Sequence, residues 1–162
     1  MGAGTFTQLY IQLVFAVRGR RNLILQSWED DLYKYITGII QQKGQKLLAI
    51  NGMPDHIHIL IGMKPTCCLS DLVREVKKSS NKFIKENKFV VGKFEWQEGF
   101  GAFSYSHSAF SNVIRYIDNQ KQHHQNNTFR DEYIEFLRKF DIAYKDEYLF
   151  EWISKNDQNE QN

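Results

Sequence analysis

Two histidines spaced by one isoleucine, in the run Pro54-Asp55-His56-Ile57-His58-Ile59-Leu60-Ile61, have types and spacing that could do chemistry. Successive side chains of a strand point to opposite faces, so His56 and His58 share one face with Cα atoms about 6.5–7 Å apart. Ile57, Ile59 and Ile61 then form an apolar row on the other face. An imidazole pair backed by core-facing isoleucines suits a metal ion; it suits equally two polar residues on the solvated face of an amphipathic strand. A second group lies downstream. Phe110, Val113, Ile114 and Ile117 recur as a helical core stripe, and at about 100° per residue Tyr116, Gln120 and His123 line the flank beside it. Tyr116 and Gln120 are one turn apart, so their tips can converge. A phenol next to an amide oxygen, facing a histidine pair, would make a metal-assisted nucleophile site. Tyrosine is a poor nucleophile at its ordinary pKa of about 10. A metal on the oxygens of an electrophile such as a phosphate offsets this by neutralising charge in the transition state. Two histidine nitrogens and one amide oxygen leave positions open for that ligand. A tyrosine beside a core stripe is also an ordinary packing residue.

The elements that must position these groups follow from the pattern. Leu9, Ile11, Leu13 and Phe15 alternate within a strand over Phe6 to Val17, and Arg18, Arg20 and Arg21 follow in a basic loop. Trp28, Leu32, Tyr35, Ile36, Ile39 and Ile40 recur at helical spacing, with Gly44 as the stop. Lys46 to Ile50 reads as a second strand, and the Asn51-Gly52 turn signal with Pro54 predicts a four-residue hairpin loop before the histidine strand. A helix over about Ser70 to Asn87 carries Arg74, Lys78, Lys82 and Lys85 opposite its apolar stripe. A glycine-punctuated stretch, Phe94 to Ser106, leads into a fourth strand. Ser108 is placed to cap a helix running to about His124, and Phe129 to Phe140 reads as one more, partly amphipathic helix. The order β-α-β-β-α-β-α predicts an α+β, ferredoxin-like antiparallel sheet of about four strands with helices on one face. The other face is then expected to be an open active surface.

The 162 residues suffice for one domain with a real core, expected over 1–150 with a polar tail over 151–162. A hydrophobic content of 42% excludes a disordered chain. The net charge of +2 leaves a nucleic-acid partner open, because the acids concentrate at Glu29, Asp30 and Asp31 and from Asp131 to Glu151. No apolar run reaches the roughly 20 residues that span a bilayer. Cys67 and Cys68 are adjacent and have no distant partner, which fits a reducing, cytoplasmic setting.

Taken together, three runs in order resemble a known family. Asp55 to Leu60 resembles the HUH motif. Trp96-Gln97-Glu98-Gly99-Phe100-Gly101-Ala102-Phe103-Ser104 resembles the link that follows it in small insertion-sequence transposases, and Arg115 to His124 resembles their segment with the single catalytic tyrosine. Tyr10 to Phe15 is similar to their opening strand. The chain thus resembles the single-tyrosine HUH-superfamily transposases, relatives of the REP-associated tyrosine transposases, over about Phe6 to Phe150. The resemblance implies an enzyme that cleaves and rejoins single-stranded DNA through a 5′-phosphotyrosine on Tyr116, excising and inserting an insertion sequence. It implies a divalent ion, Mg²⁺ or Mn²⁺, on His56, His58 and Gln120. It implies hairpin-forming DNA ends as partner, and a homodimer in which the tyrosine helix can serve the partner subunit. The setting it implies is the cytoplasm of a bacterium or archaeon, at the nucleoid when DNA is bound. Arg18, Arg20, Arg21, Arg74, Lys78, Lys82 and Lys85 are the candidates for phosphate contact, with solvated surface charge as the other reading of each. Asp55 is placed either to orient an imidazole or to cap the turn, and the Gly99–Gly101 loop to act as a hinge. No role is assigned to His123 or His124.

Two rival functions have their own signatures. A histidine-triad nucleotide hydrolase wants a third histidine where this chain has Leu60. A non-catalytic or domesticated protein that binds hairpins or single strands would use the sheet aromatics to stack bases and would not need the tyrosine hydroxyl.

Overall fold

The computed structural model describes residues 3–123 and 127–145, with the side chains of Arg20 and His123 left out. His124 and the tail expected beyond residue 150 lie outside the described residues. Four strands, β1 (Tyr10–Ala16), β2 (Lys46–Met53), β3 (His56–Gly62) and β4 (Gly101–Tyr105), form one sheet in the order β2-β3-β1-β4. Every neighbouring pair is antiparallel. With α1 (Glu29–Gln42) between β1 and β2, and α2 (Leu69–Glu86) between β3 and β4, this is the expected ferredoxin-like arrangement. Among the described residues three further helices follow: α3 (Phe110–Asp118), α4 (Gln120–His123) and α5 (Phe129–Lys139).

Strand alternation sorts the core into two layers. Leu13, Phe15, Ile57, Ile59 and Ile61 face α1 and α2, where they meet Leu32, Ile36, Ile40, Val73, Val76 and Ile84 in the main core. Burying each such side chain contributes about 1.5–3 kcal/mol relative to exposure. The opposite face carries His56, His58 and Leu60 of β3, Gln12, Val14 and Ala16 of β1, and Phe103 of β4. That face is covered. Val113 and Ile117 of α3 pack on Leu60 and Ala49, and Phe129, Tyr133, Phe136 and Leu137 of α5 pack on Val14, Ala16 and Phe103. The open active surface expected from the sequence is therefore a second core layer, and both histidines are fully buried.

The hairpin also differs from the expectation. Asn51 and Gly52 are not the turn: β2 runs on to Met53, with Asn51 paired to His58 and Gly52 to Ile57, and only Pro54-Asp55 turns the chain. Gly52 is required by close approach. A Cβ there would lie 2.2 Å from the His56 carbonyl oxygen and 2.9 Å from Ile57 Cα. Nor does Ser108 cap a continuous helix. Its hydroxyl bonds that of Ser106 at 2.8 Å, and the helix breaks at Asn119 between α3 and α4.

Candidate active site

His56 and His58 enter the site from the edge of the Pro54-Asp55 turn. His56 Nδ1–H donates to Asp55 Oδ1 at 2.7 Å, so Asp55 does orient an imidazole. With that proton placed, Nε2 holds the lone pair. Burial pushes the His56 imidazole below its ordinary pKa, outweighing the upward pull of the Asp55 hydrogen bond, so the ring stays neutral at pH 7. It stacks on Phe129, with centroids 3.8 Å apart and planes 2° apart. His58 lies edge-on to it at 5.2 Å and is held at both nitrogens, by Gln12 Nε2 at Nδ1 (2.9 Å) and by Glu132 Oε1 at Nε2 (2.7 Å).

The break at Asn119 brings Tyr116 and Gln120 to the same place. Asp118, the last residue of α3, offers its carbonyl to Asn51 Nδ2 at 3.0 Å, and Asn51 sits opposite His58 in the sheet. Lys121 of α4 reaches the Gly52 carbonyl and the buried Glu29 of α1, both at 3.0 Å. The helix break is thus fastened to the strand beside the histidines. From the last turn of α3, Tyr116 donates its hydroxyl proton to Glu132 Oε2. The fully buried Gln120 turns its amide nitrogen to that same oxygen at 3.5 Å, and to the Tyr116 carbonyl at 3.4 Å. Burial, then the charge and hydrogen bond of Glu132, hold the Tyr116 phenol well above the ordinary tyrosine pKa.

Glu132 is the residue that sequence reading missed; it counted there among acids that lie elsewhere. On α5 it occupies a stripe position, at helical spacing with Phe129, Tyr133, Phe136, Leu137 and Phe140. A carboxylate inside an apolar stripe was the available signal. Thr128 caps the helix by accepting from the Asp131 backbone N–H at 3.2 Å, which sets the phase that turns Glu132 inward. One carboxylate oxygen faces the imidazoles, 2.7 Å from His58 Nε2 and 3.7 Å from His56 Nε2; the other faces Tyr116 and Gln120.

Ligand atoms of His56, His58 and Glu132 all lie within 4.8 Å of one another. Two imidazole nitrogens and a carboxylate oxygen converging on one point suit a divalent ion. Gln120 adjoins the three but presents its N–H end to Glu132, so as a ligand it would have to turn its amide over. A cavity of about 600 Å³ opens beside Tyr116 and Glu132, walled by Gln12, Tyr105, Asn112, Phe136 and Lys139.

The family model described as transposase IS200 like matches residues 5–120, from ahead of β1 to Gln120. The chain belongs to that family. ISDra2 transposase TnpA of Deinococcus radiodurans is 23% identical to this IS200-like transposase over 124 residues, 74% of this chain and 89% of that protein. Among solved structures, a protein from Deinococcus radiodurans R1 assigned as a transposase aligns over 74% of this chain and 96% of its own, with TM-score 0.57 and 25% identity. A REP-associated tyrosine transposase bound to a REP hairpin aligns over 74% and 72%, with TM-score 0.55 and 17% identity, a likeness of fold. Glu132 lies beyond the segment that the family model matches.

The basic residues expected to contact phosphate do not form one surface in this transposase. Arg18, Arg74 and Lys78 line one groove of about 650 Å³ with Lys77, Trp96 and Phe100. Arg18 pairs there with Glu95 at 2.8 Å, and Arg74 with Asp71 at 3.0 Å. Lys77, missed in the sequence reading, donates to the carbonyls of Gln97 and Gly99 at 2.8 and 2.6 Å, and burial brings its ammonium down to about 8. Arg21 lines a smaller pocket on the other side of Arg18. Lys82 and Lys85 stand exposed further along α2, Lys82 beside Glu86 at 3.8 Å, outside the groove. The groove belongs to the α2 side of the sheet, and the loop that forms it reaches the strand beside the histidines: Gln97 N–H bonds the Ala16 carbonyl of β1, and Ala16 pairs with His56.

Proposed function

We propose that this transposase cleaves and rejoins single-stranded DNA with Tyr116 as the nucleophile, at a divalent-ion site formed by His56, His58 and Glu132 with Gln120 alongside. The observation that carries the reading is the single carboxylate of Glu132, which joins the imidazole pair to the tyrosine hydroxyl. Bound there, Mn²⁺ or Mg²⁺ supplies positive charge to the oxygens of the scissile phosphate, and the two imidazoles favour Mn²⁺. Asp55 fixes the His56 tautomer that offers a lone pair. As Tyr116 attacks, the Oη–P bond forms, the P–O3′ bond breaks, and the phenol proton passes to Glu132 Oε2, where it is already directed. The leaving 3′ oxygen takes a proton from water to give a free 3′-OH. Rejoining is the reverse attack of a 3′-OH on the phosphotyrosine, so it needs no outside energy.

The cavity beside Tyr116 has room for a nucleotide, and the groove of Arg18, Arg74, Lys77 and Lys78 gives the strand a basic track. DNA with hairpin-forming ends is the proposed substrate; one structural neighbour was solved with a REP hairpin. The Tyr116 ring lies edge-on to His58 of its own chain, which supports action in cis. A homodimer with the tyrosine acting in trans requires α3 to leave the place it holds here.

The test is incubation with Mn²⁺ and labelled single-stranded DNA from the flanks of the gene, followed by denaturing electrophoresis. Wild type forms a covalent adduct; Tyr116→Phe forms none and keeps its DNA affinity. A Tyr116→Phe protein that retains full biological function would favour the non-catalytic binding protein instead.

A further inference from the structure

Gln12 lies on the histidine face of β1, paired with Leu60, and is fully buried. Its amide stands between two polar side chains. Tyr105 donates its hydroxyl proton to Gln12 Oε1 at 2.9 Å, and Gln12 Nε2 donates to His58 Nδ1 at 2.9 Å. A neutral imidazole whose Nδ1 accepts carries its proton on Nε2, and here that proton points at Glu132 Oε1, 2.7 Å away. A metal ligand needs the other tautomer, with the lone pair on Nε2 and the proton on Nδ1. The two histidines therefore differ: Asp55 already holds His56 in the ligating tautomer, whereas Gln12 holds His58 in the opposite one.

We propose that Gln12 is a positioning residue for His58, and that its amide turns over when a divalent ion binds. In the turned state Oε1 accepts the proton of His58 Nδ1, and the NH₂ group donates to the Tyr105 oxygen. The imidazole carries one proton in both states, on Nε2 in the first and on Nδ1 in the second. Tyr105 makes both states accessible, because a hydroxyl either donates or accepts and this one keeps its proton: burial holds the phenol above its ordinary pKa. The oxygen and nitrogen ends of an amide have nearly the same size, so the turn needs no repacking of the buried layer. The proposal rests on the reading of His58 as a metal ligand and extends it one residue outward.

Nitrogen-15 NMR of the histidine side chains reads the tautomer directly, with Zn²⁺ as the diamagnetic probe, and calorimetric titration reads Mn²⁺ affinity. In wild type, His58 is expected as the Nε2–H form without metal and the Nδ1–H form with Zn²⁺. Gln12→Glu, whose carboxylate can only accept, is expected as Nδ1–H even without metal and binds Mn²⁺ at least as tightly as wild type. Gln12→Met, of similar volume and with only a weak thioether acceptor, binds Mn²⁺ about 10–100-fold more weakly. A wild-type His58 already in the Nδ1–H form without metal overturns the proposal, as does unchanged Mn²⁺ affinity in a folded Gln12→Met. The wild-type spectra need no variant, so the proposal stays exposed even where Gln12→Met fails to fold. His58→Ala separates the two levels. If it leaves Mn²⁺ affinity unchanged, the metal reading itself fails; if it abolishes binding while Gln12→Met has no effect, only the role of Gln12 fails.

Discussion

A carboxylate buried among aromatic rings is costly unless its charge is shared. Glu132, 3% exposed, divides its charge between His58 on one oxygen and Tyr116 with Gln120 on the other. In the proposed mechanism that division lets one side chain complete a metal site and take up a phenol proton. Burial first, and then the charge and hydrogen bond of Glu132, hold the Tyr116 phenol well above its ordinary pKa in this resting state. Glu132→Gln keeps the size and removes the charge. It is expected to weaken Mn²⁺ binding by more than about tenfold, measured by calorimetry, and to slow adduct formation at saturating Mn²⁺. Unchanged affinity would place the ion elsewhere.

At the scale of elements, α5 and the β2–β3 hairpin hold the site from opposite sides. The hairpin sets the histidine register through a pair of strands that nearly touch at Gly52, where a methyl group has no space beside the His56 carbonyl. Gly52→Ala is expected to cost about 2–3 kcal/mol, as overpacking does, read as a lowered thermal midpoint, and to weaken metal binding by displacing His56. Much of this was legible in the sequence. The period-2 run around His56 and the stripe of α3 placed the histidine pair and Tyr116 on the right elements. Asn51-Gly52 misled because glycine serves turns and close strand contacts alike, and the sequence does not say which. The covering of the histidine face was hidden for a related reason: α5 looks like an ordinary amphipathic helix, and which surface its stripe meets is decided by tertiary packing. Glu132 went unread because its place in that stripe matters only once the stripe is known to lie on His56 and His58.

For the whole molecule, the sheet separates two tasks. The proposed chemistry lies between the sheet and the second helical layer, and the basic groove lies on the α2 side, joined to it by the loop through Gln97. No helix among the described residues is long and apolar enough to cross a membrane. If the groove carries single-stranded DNA, Arg74→Ala with Lys78→Ala lowers the slope of log affinity against log salt by about 0.7 for each phosphate that the double variant no longer neutralises, while Lys82→Ala, outside the groove, leaves it unchanged. Lys77 is charged below about pH 8 and loses its charge as pH rises through that value. DNA affinity is therefore expected to fall above pH 8 in wild type and to stay flatter in Lys77→Met, measured by fluorescence anisotropy. The central claim joins these scales: a strand laid along the groove is attacked by one tyrosine beside the histidine pair. Its most direct test is peptide mapping by mass spectrometry of the covalent complex formed with flank DNA and Mn²⁺. The account predicts a nucleotide mass, joined through its 5′ phosphate, on the peptide containing Tyr116 alone; the same mass on any other residue, or DNA cleaved with no adduct at all, would contradict it.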